Sequence, residues 1–504
     1  MKVSMALLSL SPRRARALAV DCVGCVGIIC LVGLVGLGAL ATPAAAQSAR
    51  SAPTGAARPN LVLVVTDDHG FGDVGWHDES LRTPQLERLA REGVRLDRFY
   101  VNPVCSLTRA ALLTGLATRR TGVSNSSGLA LEHRILPQHL HANGYQTWMF
   151  GKWHLGGAEG NARQGEEYLP QRRGFDHFYG FLHGAIDYYT HQRKDLSKID
   201  WQRNGETVEE EGFTTDLLVA EAIRKLEQRD PARPFFAYLA FNAVHGPLAA
   251  PPSARDLGRE KRAVLRANLE HLDLALGRFL AALEQQGLRE STLLLFCGDN
   301  GGQLSQGSSN GGLRGEKGTL FEGGIRVPAL LHWPGRIAPR PPSEQFVCAM
   351  DVLPTLASAA GIPLGEAPLD GVDLWGALQQ GELVERAPFV MGTREACAFA
   401  PPWKLVPNGA GGYALYDVVA DPEESQDRAA AEPQRVAALQ AAIDAIPSAE
   451  GGRGGRAKGE ASGGKKRRGE SGSAGDGATE VPPDGGETPA PKGTPKKGKK
   501  KEQL

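Results

Sequence analysis

Two pairs of oxygen-bearing residues stand out in this sequence: Asp67-Asp68 in "TDDHGFGD" and Asp299-Asn300 in "GDNGG", each directly after a short apolar run. Adjacent carboxylates repel, and holding both ionised in one cleft takes a cation or several hydrogen-bond donors. Three carboxylates and an amide oxygen make an all-oxygen set, suited to a hard divalent ion such as Ca²⁺ or Mg²⁺ rather than Zn²⁺. Either pair alone reads more readily as an Asx turn or a helix cap. Together, each at the end of an apolar run, they point to a metal site. Cationic groups follow the same pattern. "AVHGPL" puts His245 after another apolar run, and "FGKWHLGG" places Lys152 and His154 two apart on one side of an extended segment. "GLRGEKGTLFEGG" presents Lys317 in a glycine-rich loop with Arg314 close by. Singly these are a structural histidine and solvated surface charges. Around an oxyanion with a metal behind it, they form a clamp for charge developing on phosphoryl-type oxygens. The lone Cys105 of "NPVCSLTRAALLTG", four residues before Arg109, is open to four readings: catalytic thiol, half of a disulfide, metal ligand or small buried residue.

Strands must place these residues. Leu61 to Val65 is almost wholly apolar and rich in β-branched residues, the pattern of a central strand buried on both faces. "RPFFAYLAFN" (Arg233 to Asn242) and "STLLLFCGDN" (Ser291 to Asn300) repeat it. "TPQLERLAREGV" has helical spacing and closes at Gly93, and a long helix over about 259–286 separates the second and third strands. Strands alternating with helices predict an α/β sandwich on a large mixed, mostly parallel sheet between helices. Ligands in such sheets bind at the carboxyl ends of strands, where all these polar motifs fall. Beyond about Gly361 the elements shorten. "PWKLVPNGAGGYALYDVVADPEE" predicts an antiparallel hairpin with Gly411-Gly412 near its turn, part of a smaller C-terminal antiparallel-sheet subdomain.

The chain of 504 residues carries ordinary apolar and charged fractions, which exclude disorder throughout. Its net charge of zero hides a basic C-terminal tail and an acidic body, so overall charge argues neither for nor against a polyanionic partner; nucleic acid is not among the expected partners. Arg13, Arg14 and Arg16 precede an apolar run to about Ala41 and then "TPAAAQ". These are the parts of an export leader cleaved between Ala46 and Gln47, with an uncleaved anchor as the rival reading. The body is therefore expected in the periplasm or outside the cell, touching a membrane only if the leader stays. The divisions are a leader at 1–46, a linker at 47–57, a catalytic domain at 58–362, a C-terminal subdomain at 363–447 and a disordered basic tail at 448–504. The tail reads as solvated, with contact to acidic glycans as the alternative. Cys22, Cys25 and Cys30 lie in the leader. Cys105, Cys297, Cys348 and Cys397 remain, without a CxxC pair, so a zinc site is not expected while one or two disulfides stay open. Cys297 reads as a small buried residue, and Cys348 could pair with Cys397.

The chain from about Arg58 to Asp421 resembles the sulfatase family of the alkaline-phosphatase-like superfamily. It does so through an ordered set of motifs: "TDDHGFGD", "CSLTRAALLTG", "GKWHLG", "HGPL", "GDNGG", "GEKGTLFEGGIRVP" and "LYDVVADPEE". "DNGGQ" and "LRGEKGTLFEGG" look most like the arylsulfatase B type. The resemblance implies that Cys105 is oxidised to Cα-formylglycine by a formylglycine-generating enzyme, its hydrated aldehyde serving as nucleophile with a second hydroxyl to expel sulfate. It implies that Asp67, Asp68, Asp299 and Asn300 bind Ca²⁺ together with residue 105. Arg109 and Lys152 match the groups holding the aldehyde hydrate, and His154 matches the histidine on its other hydroxyl. Asp299 matches the group taking the proton of the attacking hydroxyl, and His245 and Lys317 match the pair on the sulfate and the leaving alcohol.

One position departs from the family pattern. The modification motif is Cys-x-Pro-x-Arg or Cys-x-Ala-x-Arg, and here Leu107 takes the third place. The expected activity is hydrolysis of sulfuric esters of a sulfated saccharide. A phosphodiesterase or phosphonate monoester hydrolase on the same scaffold is the alternative enzyme. A sulfated-glycan-binding protein without turnover is the alternative if Leu107 prevents conversion.

Overall fold

Every residue of the first strand, β1 (Asn60–Thr66), is buried. Leu61, Leu63 and Val65 enter one core, while Val62 and Val64 enter another on the opposite face. A strand covered on both sides needs such an unbroken apolar run. The computed structural model describes residues 58–449 apart from 125–126, 158–164, 194–197 and 367. The expected leader, the linker and the tail from 450 onward lie outside the described residues.

Ten further strands follow in the first part of the chain. They are β2 (Val94–Arg95), β3 (Phe99–Tyr100), β4 (Gln146–Lys152), β5 (His177–Phe181), β6 (Gln202–Arg203), β7 (Glu206–Thr207), β8 (Phe235–Ala240), β9 (Thr292–Gly298), β10 (Ala329–His332) and β11 (Val347–Cys348). The main sheet runs β2-β10-β9-β1-β8-β4-β5-β6-β7, with β3 and β11 forming a separate pair. Its centre, β9-β1-β8-β4-β5, is parallel throughout, and antiparallel strands close both edges. The expected mixed, mostly parallel sheet is thus present. Val65 and Gly151 both register with Ala240, and Thr66 registers with Gly298, so four strands end level with one another.

Helices cover both faces. Helix α1 (Pro84–Glu92), capped at Gly93 as expected, and the helices Thr214–Glu227 and Lys261–Gln285 pack on one side through Leu86, Leu218 and Leu276. Helix α2 (Cys105–Thr114) packs on the other, and all of its residues are buried. A helix enclosed on all sides has no use for an amphipathic pattern, which is why its sequence shows none.

Strands β12 (Phe389–Gly392), β13 (Ala396–Ala400), β14 (Trp403–Pro407) and β15 (Tyr413–Asp417) form an antiparallel sheet in sequential order. The β14–β15 pair is the predicted hairpin. The helix Pro433–Ala445 covers one face of this sheet with Leu439 and Ile443. The cysteines correct one expectation: Cys105, Cys297, Cys348 and Cys397 are all buried free thiols, and there is no disulfide among the described residues. Cys348 lies on β11 and Cys397 on β13, and as free thiols they are not paired with each other.

Gly151, just before Lys152, shows how closely β4 and β8 approach. Its φ is 109°, and a Cβ there would lie 1.9 Å from the Ala240 carbonyl oxygen. Both the conformation and the space require glycine. We expect Gly151→Ala to cost at least about 1–3 kcal/mol, read as a lowered denaturation midpoint; an unchanged midpoint would show that the two strands separate freely.

Candidate active site

Four parallel strands deliver their polar ends to one place. Asp67 and Asp68 follow β1, Asp299 and Asn300 follow β9, Lys152 ends β4, and His245 lies in the turn after β8. Cys105 opens α2, whose N-terminal amides give this end a positive character. Thr108 tightens the turn by accepting from the Asn102 amide and donating to the Asn102 carbonyl.

The charged groups pair one to one. Lys152 Nζ donates to Asp67 Oδ2 at 2.6 Å, with both side chains fully buried. Arg109 grips Asp299 Oδ2 through Nε at 3.1 Å and Nη2 at 2.7 Å, again fully buried. Its remaining nitrogen, Nη1, donates to the Lys152 carbonyl and the Tyr238 hydroxyl. Lys317 lies 2.7 and 2.9 Å from the two oxygens of Asp68, and Asn300 Nδ2 donates to Asp68 Oδ1 at 2.8 Å. His245 Nε2 is 3.8 Å from Asp68 Oδ2, while its Nδ1 faces the Gly246 carbonyl.

Burial pulls the Lys152 and Lys317 ammonium groups downward, but the carboxylates beside them outweigh it and hold both above the usual lysine range. The Asp299 carboxyl is pushed up, chiefly by burial and then by Asp67, with Arg109 and Lys152 opposing. Burial likewise raises the Cys105 thiol, although Lys152 pulls against it. A thiol kept protonated is a poor nucleophile. Cys105 Sγ lies 3.4 Å from His154 Nδ1.

The site fits a divalent cation. Asp67 Oδ1 and Asn300 Oδ1 are buried acceptors without a hydrogen-bond partner, a costly state unless something binds them. One ligand atom each from Asp67, Cys105 and Asp299 lies within 4.8 Å of the others, and the same holds for Asp67, Asp68 and His245. The oxygen donors favour a hard ion. Asp68 and His154 adopt left-handed backbone, with φ of 56° and 53°. Such conformations concentrate where a surrounding structure fixes a side chain for function.

Every residue singled out in the sequence for the site is brought together here except Arg314. That guanidinium turns away, donating to the Tyr416 hydroxyl and the Glu424 carbonyl and stacking on Phe321. The extended reading around Lys152 and His154 also fails locally, because the left-handed turn at His154 aims its ring at Cys105. Two tyrosines of the site stand outside the sequence motifs. Tyr238 accepts from Arg109, and Tyr188 donates to the carbonyls of Asn242 and His245 behind the site. A hydroxyl in the otherwise apolar "FFAYLAF" is the one signal for Tyr238 that the sequence offers.

This fold and site define an ester hydrolase of the alkaline-phosphatase-like class. A sequence model of the sulfatase family matches residues 59–362. Mouse arylsulfatase J is 36% identical over 345 residues, covering 65% of this chain and 57% of that protein. Dog N-acetylgalactosamine-6-sulfatase is 34% identical over 363 residues, covering 66% of this chain and 68% of that protein. Among solved structures, Ps i-CgsB in complex with k-i-k-neocarrahexaose superposes with a TM-score of 0.71 at 28% identity, covering 77% of this chain and 92% of that one. The chain belongs to the sulfatase family.

Removing one partner of a buried ion pair leaves the other uncompensated, at about 3–5 kcal/mol. In the presence of a chelator, Lys152→Met is expected to lower the urea midpoint by that amount, and the double variant Lys152→Met/Asp67→Leu to recover most of it. A single variant as stable as the parent would contradict the pairing.

Proposed function

We propose that the protein is a Ca²⁺-dependent sulfuric ester hydrolase acting on a sulfated saccharide, with residue 105 converted from cysteine to Cα-formylglycine. The observation that carries this reading is the level ending of four parallel strands, which sets Asp67, Asp68, Asp299 and Asn300 beside residue 105 with two buried oxygens unpaired. Formylglycine supplies a hydroxyl nucleophile where the thiol is protonated, and a cation held by the four oxygen residues supplies positive charge against the ester oxygens.

The chain's own residues divide the remaining work. Arg109 and Lys152, each fixed on a carboxylate, hold positive charge beside residue 105. His154, at 3.4 Å, is placed to move a proton there. On the other flank, Lys317 and His245 share Asp68, where they meet the sulfate oxygens and can give a proton to the departing alcohol. Asp67, Asp68 and Asp299 balance Arg109, Lys152 and Lys317 in charge. A divalent ion leaves the site positive by two, suited to an anionic ester. The relative N-acetylgalactosamine-6-sulfatase and the saccharide complex of Ps i-CgsB support a carbohydrate substrate.

Leu107 sits in the first turn of α2, 6% exposed within the core. Its side chain packs in the main core and its amide donates to the Val104 carbonyl at 3.1 Å, so Leu107 serves the fold as well as standing in the segment that the converting enzyme would read. Cys105 and Arg109 are buried as well, so conversion must act on the unfolded chain. The arginines, apolar run and small-residue site read in the sequence at 13–47 support export of the mature protein to the periplasm or beyond the cell.

Peptide mass spectrometry of protein from the native host is expected to show residue 105 lighter by H₂S and heavier by one oxygen. An unmodified thiol, with glycan binding and no turnover, would overturn the enzymatic reading. Aryl sulfate is expected to be hydrolysed faster than aryl phosphate, and the reverse order would make the protein a phosphoester hydrolase. Calcium at 100 times its dissociation constant is expected to add about 2.7 kcal/mol to stability, an increase that Asp67→Asn sharply reduces; a calcium-independent melting temperature would exclude the ion.

A further inference from the structure

Lys317 projects from the loop between β9 and β10, and little of that loop is regular. Its amide donates to the Gly302 carbonyl at 3.2 Å, and the Gly318 amide donates to the Pro103 carbonyl at 2.8 Å. These contacts tie the loop to the segments carrying Asn300 and Cys105. They fix the tip of the loop and leave its two ends to be held elsewhere.

Both ends are held by one residue, Glu424 of the "DPEE" motif that follows β15. At the near end, Arg314 Nη1 donates to the Glu424 carbonyl at 3.0 Å and to the Tyr416 hydroxyl at 3.2 Å. At the far end, the Glu322 amide donates to Glu424 Oε2 at 2.7 Å. The stretch is also joined across its base, where the Gly323 amide donates to the Arg314 carbonyl at 2.7 Å. Glu424 is fully buried, with left-handed backbone at φ 53°. Its charge is met by Lys404 of β14, 2.9 Å from Oε1, in an ion contact without hydrogen-bond alignment. Lys404 also donates to Glu322 Oε1 at 3.0 Å, and Tyr100 donates to Glu322 Oε2 at 3.0 Å. The three charged side chains are fully buried against one another, an arrangement that fixes geometry more than it adds stability.

We infer that Glu424 is a positioning residue for Lys317: by clasping Arg314 and Glu322 it sets the span between them, and makes the C-terminal sheet part of the active-site machinery. The inference rests on the proposed role of Lys317 at the sulfate. A left-handed glutamate is an uncommon choice for a mere surface turn, and its carbonyl and carboxylate act on opposite ends of the same loop. A misplacement of about 1 Å at a catalytic group can cost on the order of 100-fold in rate, so the clasp has a function beyond holding two sheets together.

The test is a pair of double-mutant cycles in the full chain, using 4-nitrophenyl sulfate. Lys317→Ala is expected to lower kcat/KM about 100-fold. Glu424→Ala and Arg314→Met, made separately, are each expected to lower it about 10-fold. In the Lys317→Ala background neither is expected to cause a further loss, because both act through Lys317. Arg314 is exposed, so Arg314→Met reports even if Glu424→Ala folds poorly. Hydrogen exchange supplies a readout independent of turnover: the amides of Lys317, Gly318 and Gly323 are expected to exchange faster in both clasp variants. Full additivity with Lys317→Ala, or unchanged exchange in this span, would overturn the clasp while leaving the hydrolase reading intact. A Lys317→Ala variant with parental kcat/KM would overturn the clasp and the role of Lys317 at the sulfate, whereas absence of turnover in the parent carrying formylglycine would overturn the hydrolase reading itself.

Discussion

The structure turns on a set of charges taken out of water. Asp67, Asp68 and Asp299 are at most 1% exposed, and no carboxylate remains ionised at such depth without compensation. Lys152, Lys317 and Arg109 provide it, each on its own carboxylate. At 4 Å and an effective dielectric of 20, such a pair is worth about 4 kcal/mol, comparable with the effective penalty of burying the ions. Packing would serve stability as well, so what the network gains is fixed position.

That position depends on parallel strands. Parallel pairing puts the carboxyl ends of β9, β1, β8 and β4 on one edge, and the level register keeps their polar ends within side-chain reach. An antiparallel neighbour would carry its carboxyl end to the far edge. The flanking helices remove water from both faces and thereby strengthen every ion pair at the edge. The two cores on either face of the sheet therefore serve the site twice, as support and as dielectric.

The smaller sheet extends the same principle. Its Lys404 and Glu424 meet Glu322 in a second buried ionic group, next to the loop that carries Lys317. Active-site loops need precise geometry without regular hydrogen-bond ladders, and here side chains of the neighbouring sheet provide it. Cys348 and Cys397, which an oxidising compartment would allow to pair, are buried as separate thiols. Cohesion in this region therefore comes from packing and ion pairs among the described residues.

Much of the site is legible in the amino-acid sequence. Asp67, Asp68, Asp299 and Asn300 stand out because a parallel sheet places ligands after apolar strands, and such strands are plain in "NLVLVVT" and "TLLLFCG". The order of motifs then points to the family and with it to the expected place of Cys105. Partnership is not legible: Lys152 meets Asp67 across 85 residues, and Arg109 meets Asp299 across 190. Arg314 reads as a member of the oxyanion clamp because it is close to Lys317 in sequence, yet it faces Glu424, 110 residues away. Sequence determined which strands are buried, and where along them polar chemistry begins, because burial and periodicity are local properties. Tertiary structure alone decided which charge neutralises which, since that depends on distances between segments that no local pattern encodes.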